Sequence, residues 1–208
     1  MESGVYTIPI AGTWSLEDLY IFPRAYEQCY FMYLALLPDA WEYDEDRITH
    51  AYAAFPWQGG YSAVGFYNQL KWAVPKSKRP RVNRIEYSSP GLIELGLVVA
   101  VAAAIERIVR SLCNSAKNLN GTYTEIYRDM QERKLLKIKT ENDIRRLTAQ
   151  ERRVIDTHVD KLAHILDLDP KALNHKTGSS YKSLKILLSL FRRAKKLAEF
   201  QKKGKTNL

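Results

Sequence analysis

Arg153 and His158 stand five positions apart in the string "RVIDTH" and are the pair of residue types best suited to acid–base work on a phosphodiester. Histidine changes charge near neutral pH and can relay a proton, while an arginine can balance phosphate charge. On a helix the two positions fall slightly off a common face, yet both side chains are long enough to converge. The same segment carries Asp156, Asp160 and His164 at i, i+4 and i+8. That stripe lacks a fourth ligand for a divalent ion and reads as an exposed face pairing with Lys or Arg, so no metal site and no cofactor is expected. The turn "SSPG", Ser88 to Gly91, is the third candidate. If it joins a strand to a helix, the helix amides would point at an anion held by Ser88, Ser89 and Gly91. The glycine-rich phosphate fingerprints and the GxSxG nucleophile pattern are absent, which favours a plain capped turn.

The stretch from Arg153 to His158 resembles the motif of HEPN ribonucleases, helical proteins in which an Arg and a His cleave RNA without a metal, usually across a dimer. The resemblance covers six residues and implies Arg153 and His158 as the catalytic pair. That family carries a polar residue directly after the Arg. Here Val154 stands in that place, although counting from Arg152 puts Arg153 there. A solvated, Arg-rich helix face accounts for the same residues, and no catalytic residue is assigned on this basis.

Charge is distributed unevenly. Of 32 basic and 23 acidic residues, residues 1–75 hold three basic and nine acidic, so a net charge of +9 conceals an acidic beginning and a strongly basic remainder. Aromatics follow the acidic part, with 17 of 23 in those first 75 positions. From Lys171 to Leu208 eleven basic residues face Glu199 alone. Within "SYKSLKILLSLFRRAKKLAEFQKK" the apolar Leu184, Leu187, Leu188, Phe191, Ala194 and Ala198 share one side of a helix. Lys182, Lys185, Arg192, Arg193, Lys195 and Lys196 form the expected binding face, for successive phosphates of a nucleic acid or for an acidic protein partner.

The elements that must position these residues follow from pattern. Val5 to Ile10 alternates weakly and reads as an edge strand, with Pro9 limiting how central it can be. A helix is expected with Pro23 in its first turn, and a second is capped at Ser62 and closed by Pro75. "RVNRIEYSS" alternates as a strand, through Val82, Arg84 or Ile85, and Tyr87. Within "SPGLIELGLVVAVAAAIERIV", Pro90 and Gly91 turn the chain into one long buried helix, whose uninterrupted apolar run, Leu97 to Ile105, is too short to span a bilayer. A break follows at Asn118 to Gly121. Capping boxes are expected at Thr122 to Glu125 and Thr148 to Glu151, an Asp169–Pro170 start, and a last helix capped at Ser179 or Ser180 with a frayed end.

The expected fold is α+β: a small sheet with packed helices in an aromatic-rich part, residues 1–115, continued by a mainly α-helical basic part, residues 116–208. Two widely separated cysteines, Cys29 and Cys113, read as reduced thiols of a cytoplasmic protein. The expected function is non-enzymatic binding or assembly through the basic helices, in a homo- or hetero-oligomer. The alternatives are the ribonuclease and, less favoured because the apolar face suits protein better, peripheral membrane attachment.

Overall fold

The apolar run that follows the turn at Pro90 and Gly91, expected as one helix, is divided into a strand, β3 (Gly91–Val98), and a helix, α4 (Val99–Asn114). The computed structural model describes residues 2–36, 45–53, 59–88, 90–114 and 116–208. β3 buries alternate side chains, Ile93, Leu95 and Leu97, whereas α4 buries Val101, Ala102, Ile105, Ile108, Val109 and Leu112 at helical spacing. The period of burial therefore changes from two to three or four at Val98.

β3 is the central strand of an antiparallel sheet of order β1-β3-β2, between β1 (Ser3–Ile10) and β2 (Arg81–Glu86). β1 lies at an edge, where Pro9 is tolerated because an edge strand can spare a donor. The sheet turns one face, Ile8, Ile93 and Leu95, towards the helices, while Val5 on the other face of β1 is exposed.

α1 (Leu16–Leu36) starts earlier than expected, so Pro23 lies inside it rather than in its first turn. The start is set by a reciprocal pair: Ser15 N–H donates to Asp18 Oδ2 at 2.8 Å and Asp18 N–H donates to Ser15 Oγ at 3.1 Å. α1 is followed by α2 (Glu45–Ala53) and α3 (Gly59–Ala73). Ser62, expected as a cap, falls within α3. α5 (Ala116–Glu132) runs through both the expected break at Asn118 to Gly121 and the expected box at Thr122 to Glu125. α6 (Glu141–Arg145) and α7 (Ala149–Ile165) each begin with a complete capping box, at Thr140 with Asp143 and at Thr148 with Glu151. α8 (Pro170–Thr177) is capped by Asp169, and α9 (Ser180–Lys202) follows Ser179, whose side chain makes no capping bond.

α9 is the axis of the core. Fourteen of its 23 residues are buried, and it packs on α1, α4, α7 and α8. Phe191 stacks on Tyr123 at 4.8 Å between ring centroids, and Phe200 joins Trp14 and Phe22 at 5.4 and 5.3 Å. The buried tyrosines use their hydroxyls as ties between elements. Tyr30 donates to Lys78 O at 2.7 Å and accepts from Val98 N–H at 3.0 Å, Tyr33 donates to Leu166 O at 2.8 Å, and Tyr181 to Leu135 O at 2.7 Å. None of the described helices is long and apolar enough to cross a membrane.

The segment after α9 is docked rather than frayed. Thr206 bridges Ile10, Ala11 N–H donates to Lys205 O at 3.0 Å, Asn207 N–H donates to Pro9 O at 3.1 Å, and Leu208 is buried. Lys205 also pairs with Asp18. That ammonium, with the Ser15 donors, holds the Asp18 carboxyl down at about 2. A carboxyl depressed in the fold stabilises it above the ordinary carboxylate range, and the contribution disappears as pH falls towards 2. Urea midpoints measured from about pH 5 to about pH 2 are therefore expected to fall more steeply for the wild-type chain than for Lys205→Met. Parallel profiles would show that this contact contributes nothing.

Candidate functional site

The basic residues expected on one face of α9 are divided by the fold. Lys182 is buried, donating to Ala53 O at 2.8 Å and pairing with Glu141. Arg193 donates to Gln28 Oε1 at 2.6 Å and to Ser189 O and Oγ at 2.8 Å, with its guanidinium 4.4 Å from the Tyr67 ring centroid. Lys185 lies over the Tyr181 ring at 5.7 Å, and burial, then the neighbouring Arg192 charge, lowers its pKa. Lys196 pairs with Glu199 at 3.0 Å, Lys195 is half-buried and Arg192 is exposed. A single solvated basic face thus does not form, because helices surround α9. Basic side chains with open exposure lie instead on the connection from α5 to α7, at Lys134, Lys137, Lys139, Arg145 and Arg146.

Arg153 and His158 are likewise not brought into one cavity. His158 is buried, with Nε2 2.8 Å from Asp129 Oδ2 and Nδ1 without a partner among the described residues. Burial favours a raised Asp129 carboxyl, but the bonds from His158 and from Arg133 Nε, at 2.8 Å, outweigh it and hold it below the ordinary carboxylate range. The cavity beside His158, of about 330 Å³, is bordered by Arg128 of α5, by Arg133 just beyond its end, and by Val154 and Thr157 of α7. Arg153 is exposed and does not line it. No group of three or more His, Cys, Asp or Glu side chains that could hold a metal exists among the described residues.

The anion turn at Ser88 to Gly91 loses its physical basis. It joins β2 to β3, so no helix amides converge there. Ser88 Oγ donates to Pro90 O at 2.7 Å, Ser89 lies outside the described residues, and Gly91 is packed against the Glu86 and Ser88 carbonyls.

A further cavity is one that no motif marks. Along β2 the covered face of the sheet and the helices α1 and α3 stand apart, leaving an open groove of about 750 Å³. Ile8, Ile93 and Leu95 form its floor, and Phe22, Phe31 and Val64 its helical walls. Its mouth exposes Leu19, Tyr20, Val82 and Ile85 at 43%, 62%, 58% and 53%. Lys71 of α3 and Glu27 of α1 meet across it at 2.7 Å. Tyr26 and Tyr67 line it as well, both buried, and the Tyr26 hydroxyl has no partner among the described residues. Burial raises both phenols, Tyr67 to about 12, so both keep their protons and remain donors. An unsatisfied buried hydroxyl costs about 1–3 kcal/mol. The only trace of this site in the sequence is the aromatic enrichment of residues 1–75 and the ambiguous alternation around Val82 and Ile85.

Fold and site together define a mainly helical α+β protein with a three-stranded antiparallel sheet and a laterally open apolar groove. No family model, no curated protein and no solved structure matches this chain.

Proposed function

We propose that this chain is a non-enzymatic binding or assembly protein, and that it receives apolar groups of a protein partner in the groove between α1, α3 and the sheet. The observation that carries this reading is the exposure of Leu19, Tyr20, Val82 and Ile85 around one apolar cavity whose volume is in the range of binding sites rather than packing defects. Contiguous exposed apolar surface of this kind is costly in a free protein and marks a contact site. Free Cys29 and Cys113 support a reducing compartment, and we assign the protein to the cytoplasm on that basis. A polyanion such as nucleic acid would be met by Lys134, Lys137, Lys139, Arg145 and Arg146 rather than by α9. Attachment to a membrane through α9 is disfavoured by the burial of its apolar residues in the core.

The groove is tested with Nile red, a neutral dye whose emission shifts to the blue in apolar surroundings. Wild-type protein is expected to bind it, and Ile85→Lys, at an exposed position where folding is little affected, to weaken binding at least tenfold. Undiminished binding by a folded Ile85→Lys variant would overturn the assignment of the site.

A further inference from the structure

β2 is an edge strand whose outer side is unpaired among the described residues, since its ladder is made with β3 alone. The backbone donors and acceptors on that side are available to another chain. β2 is also the wall of the groove, and an irregularity in its pairing decides which side chains face in. Val82 pairs with Leu95, Arg84 with Glu94 and Ile85 with Ile93, so Asn83 is an extra residue in the ladder. Strict alternation would put Val82 and Arg84 on one face. The bulge shifts the phase, so Val82 and Ile85 both point to the groove. Asn83 goes to the opposite face, where its Nδ2 donates to Glu94 Oε1 at 3.3 Å and its carboxamide lies against Gly96.

A strand laid beside β2 would sit about 4.8 Å further out. Its alternate side chains would then lie over the groove mouth, opposite Leu19 and Tyr20 of α1 and Val64 of α3. Main-chain bonds supply affinity in such strand addition, and the pockets under alternate side chains supply selectivity.

Charge indicates what kind of strand fits. Residues 76–84, "KSKRPRVNR", contain Lys76, Lys78, Arg79, Arg81 and Arg84 and no carboxylate. Arg79 is held over Trp72, 5.1 Å from its ring centroid, and Arg84 is paired with Glu86, while Lys76 and Arg81 are exposed. A second copy of β2 pairing antiparallel over its full length would set Arg81 opposite Glu86, but residues 76–86 carry five basic side chains against Glu86 alone, so two copies brought edge to edge repel on balance. An acidic strand gains from the same field.

We infer that β2 accepts an extended acidic segment of a partner protein as a fourth strand, with apolar residues at alternate positions seated in the groove. The inference rests on the groove being the contact site. Six residues of β2 present an edge of about 20 Å, so a segment of about six residues is engaged.

The test uses a fluorescein-labelled ten-residue peptide of alternating Glu and Val, its fluorescence anisotropy followed against intact protein. Two further peptides of the same sequence carry N-methyl groups on every second residue, one in each frame. Methylation removes donors from one edge of a strand at a time. The expected result is binding by the parent and by one frame, at least tenfold weaker binding by the other frame, and none by a Lys–Val alternating peptide. Arg81→Glu, at an exposed position, is expected to weaken parent binding at least tenfold with an unchanged thermal melt. Equal binding by both frames would overturn strand addition, as would a dimer in sedimentation that excludes the peptide. If the Glu–Val peptide fails while Nile red still binds in the groove, the inference falls and the groove assignment stands. Loss of both would remove the groove assignment itself.

Discussion

Gly91→Ala is expected to destabilise the protein by about 1–3 kcal/mol, the range of forced overpacking, as read from urea unfolding. A Cβ at this position would lie 2.5 Å from Glu86 O, 2.8 Å from Ser88 O and 3.1 Å from Ile10 Cγ1. The first two are backbone atoms of the hairpin, so neither can swing aside, and relief requires the β2–β3 turn to open. The sign separates two readings of the same residues. Were Gly91 instead the turn residue that leads into a helix, a Cβ would meet no such backbone atoms, and Ala would leave stability unchanged or raise it by up to about 1 kcal/mol. Stabilisation would therefore refute the hairpin. Because the same hairpin sets the Val82 and Ile85 register, Gly91→Ala should also weaken Nile red binding in proportion to the loss of structure.

Phe191→Ala should cost about 3–5 kcal/mol, the usual penalty for removing a buried phenyl ring. Phe191 is fully buried on α9 and stacked on Tyr123 from α5, with an interplanar angle of 9°. Arg192, its neighbour, is exposed and has no such role, so Arg192→Ala should change stability by no more than about 0.5 kcal/mol. The contrast between adjacent residues distinguishes a helix that forms the core axis from one lying on the surface. Comparable small effects at both positions would mean that α9 is peripheral. The same argument predicts that the expected binding face cannot be charge-reversed as a unit. Arg193→Glu would place a carboxylate beside Gln28 Oε1 and the Ser189 carbonyl, whereas Arg192→Glu leaves the interior untouched.

Local chemistry makes several elements legible in the amino-acid sequence alone. The Thr148 to Glu151 box, the Asp169–Pro170 start and the β1 edge strand depend on side chains meeting their own neighbouring backbone or on one missing donor, and both are present in the sequence itself. The α+β class follows from the same periodicities. Interactions between distant segments decide the rest. Leu92 to Val98 is apolar enough for helix or strand, and the choice falls to strand because β1 and β2 offer ladders on both sides. The broad apolar surface of α9 is legible, but not that four helices surround it and draw Lys182 and Arg193 into fixed contacts. His158 and Arg153 share a motif spacing, yet the partner of His158 is Asp129, 29 residues away. The groove is the least legible feature of all, since a site made by three elements failing to close over β2 has no spacing to betray it. Composition and periodicity act along the chain and determine class and many element ends. Which faces meet, and which are left open, depends on contacts between residues far apart in sequence and is decided only by the tertiary structure.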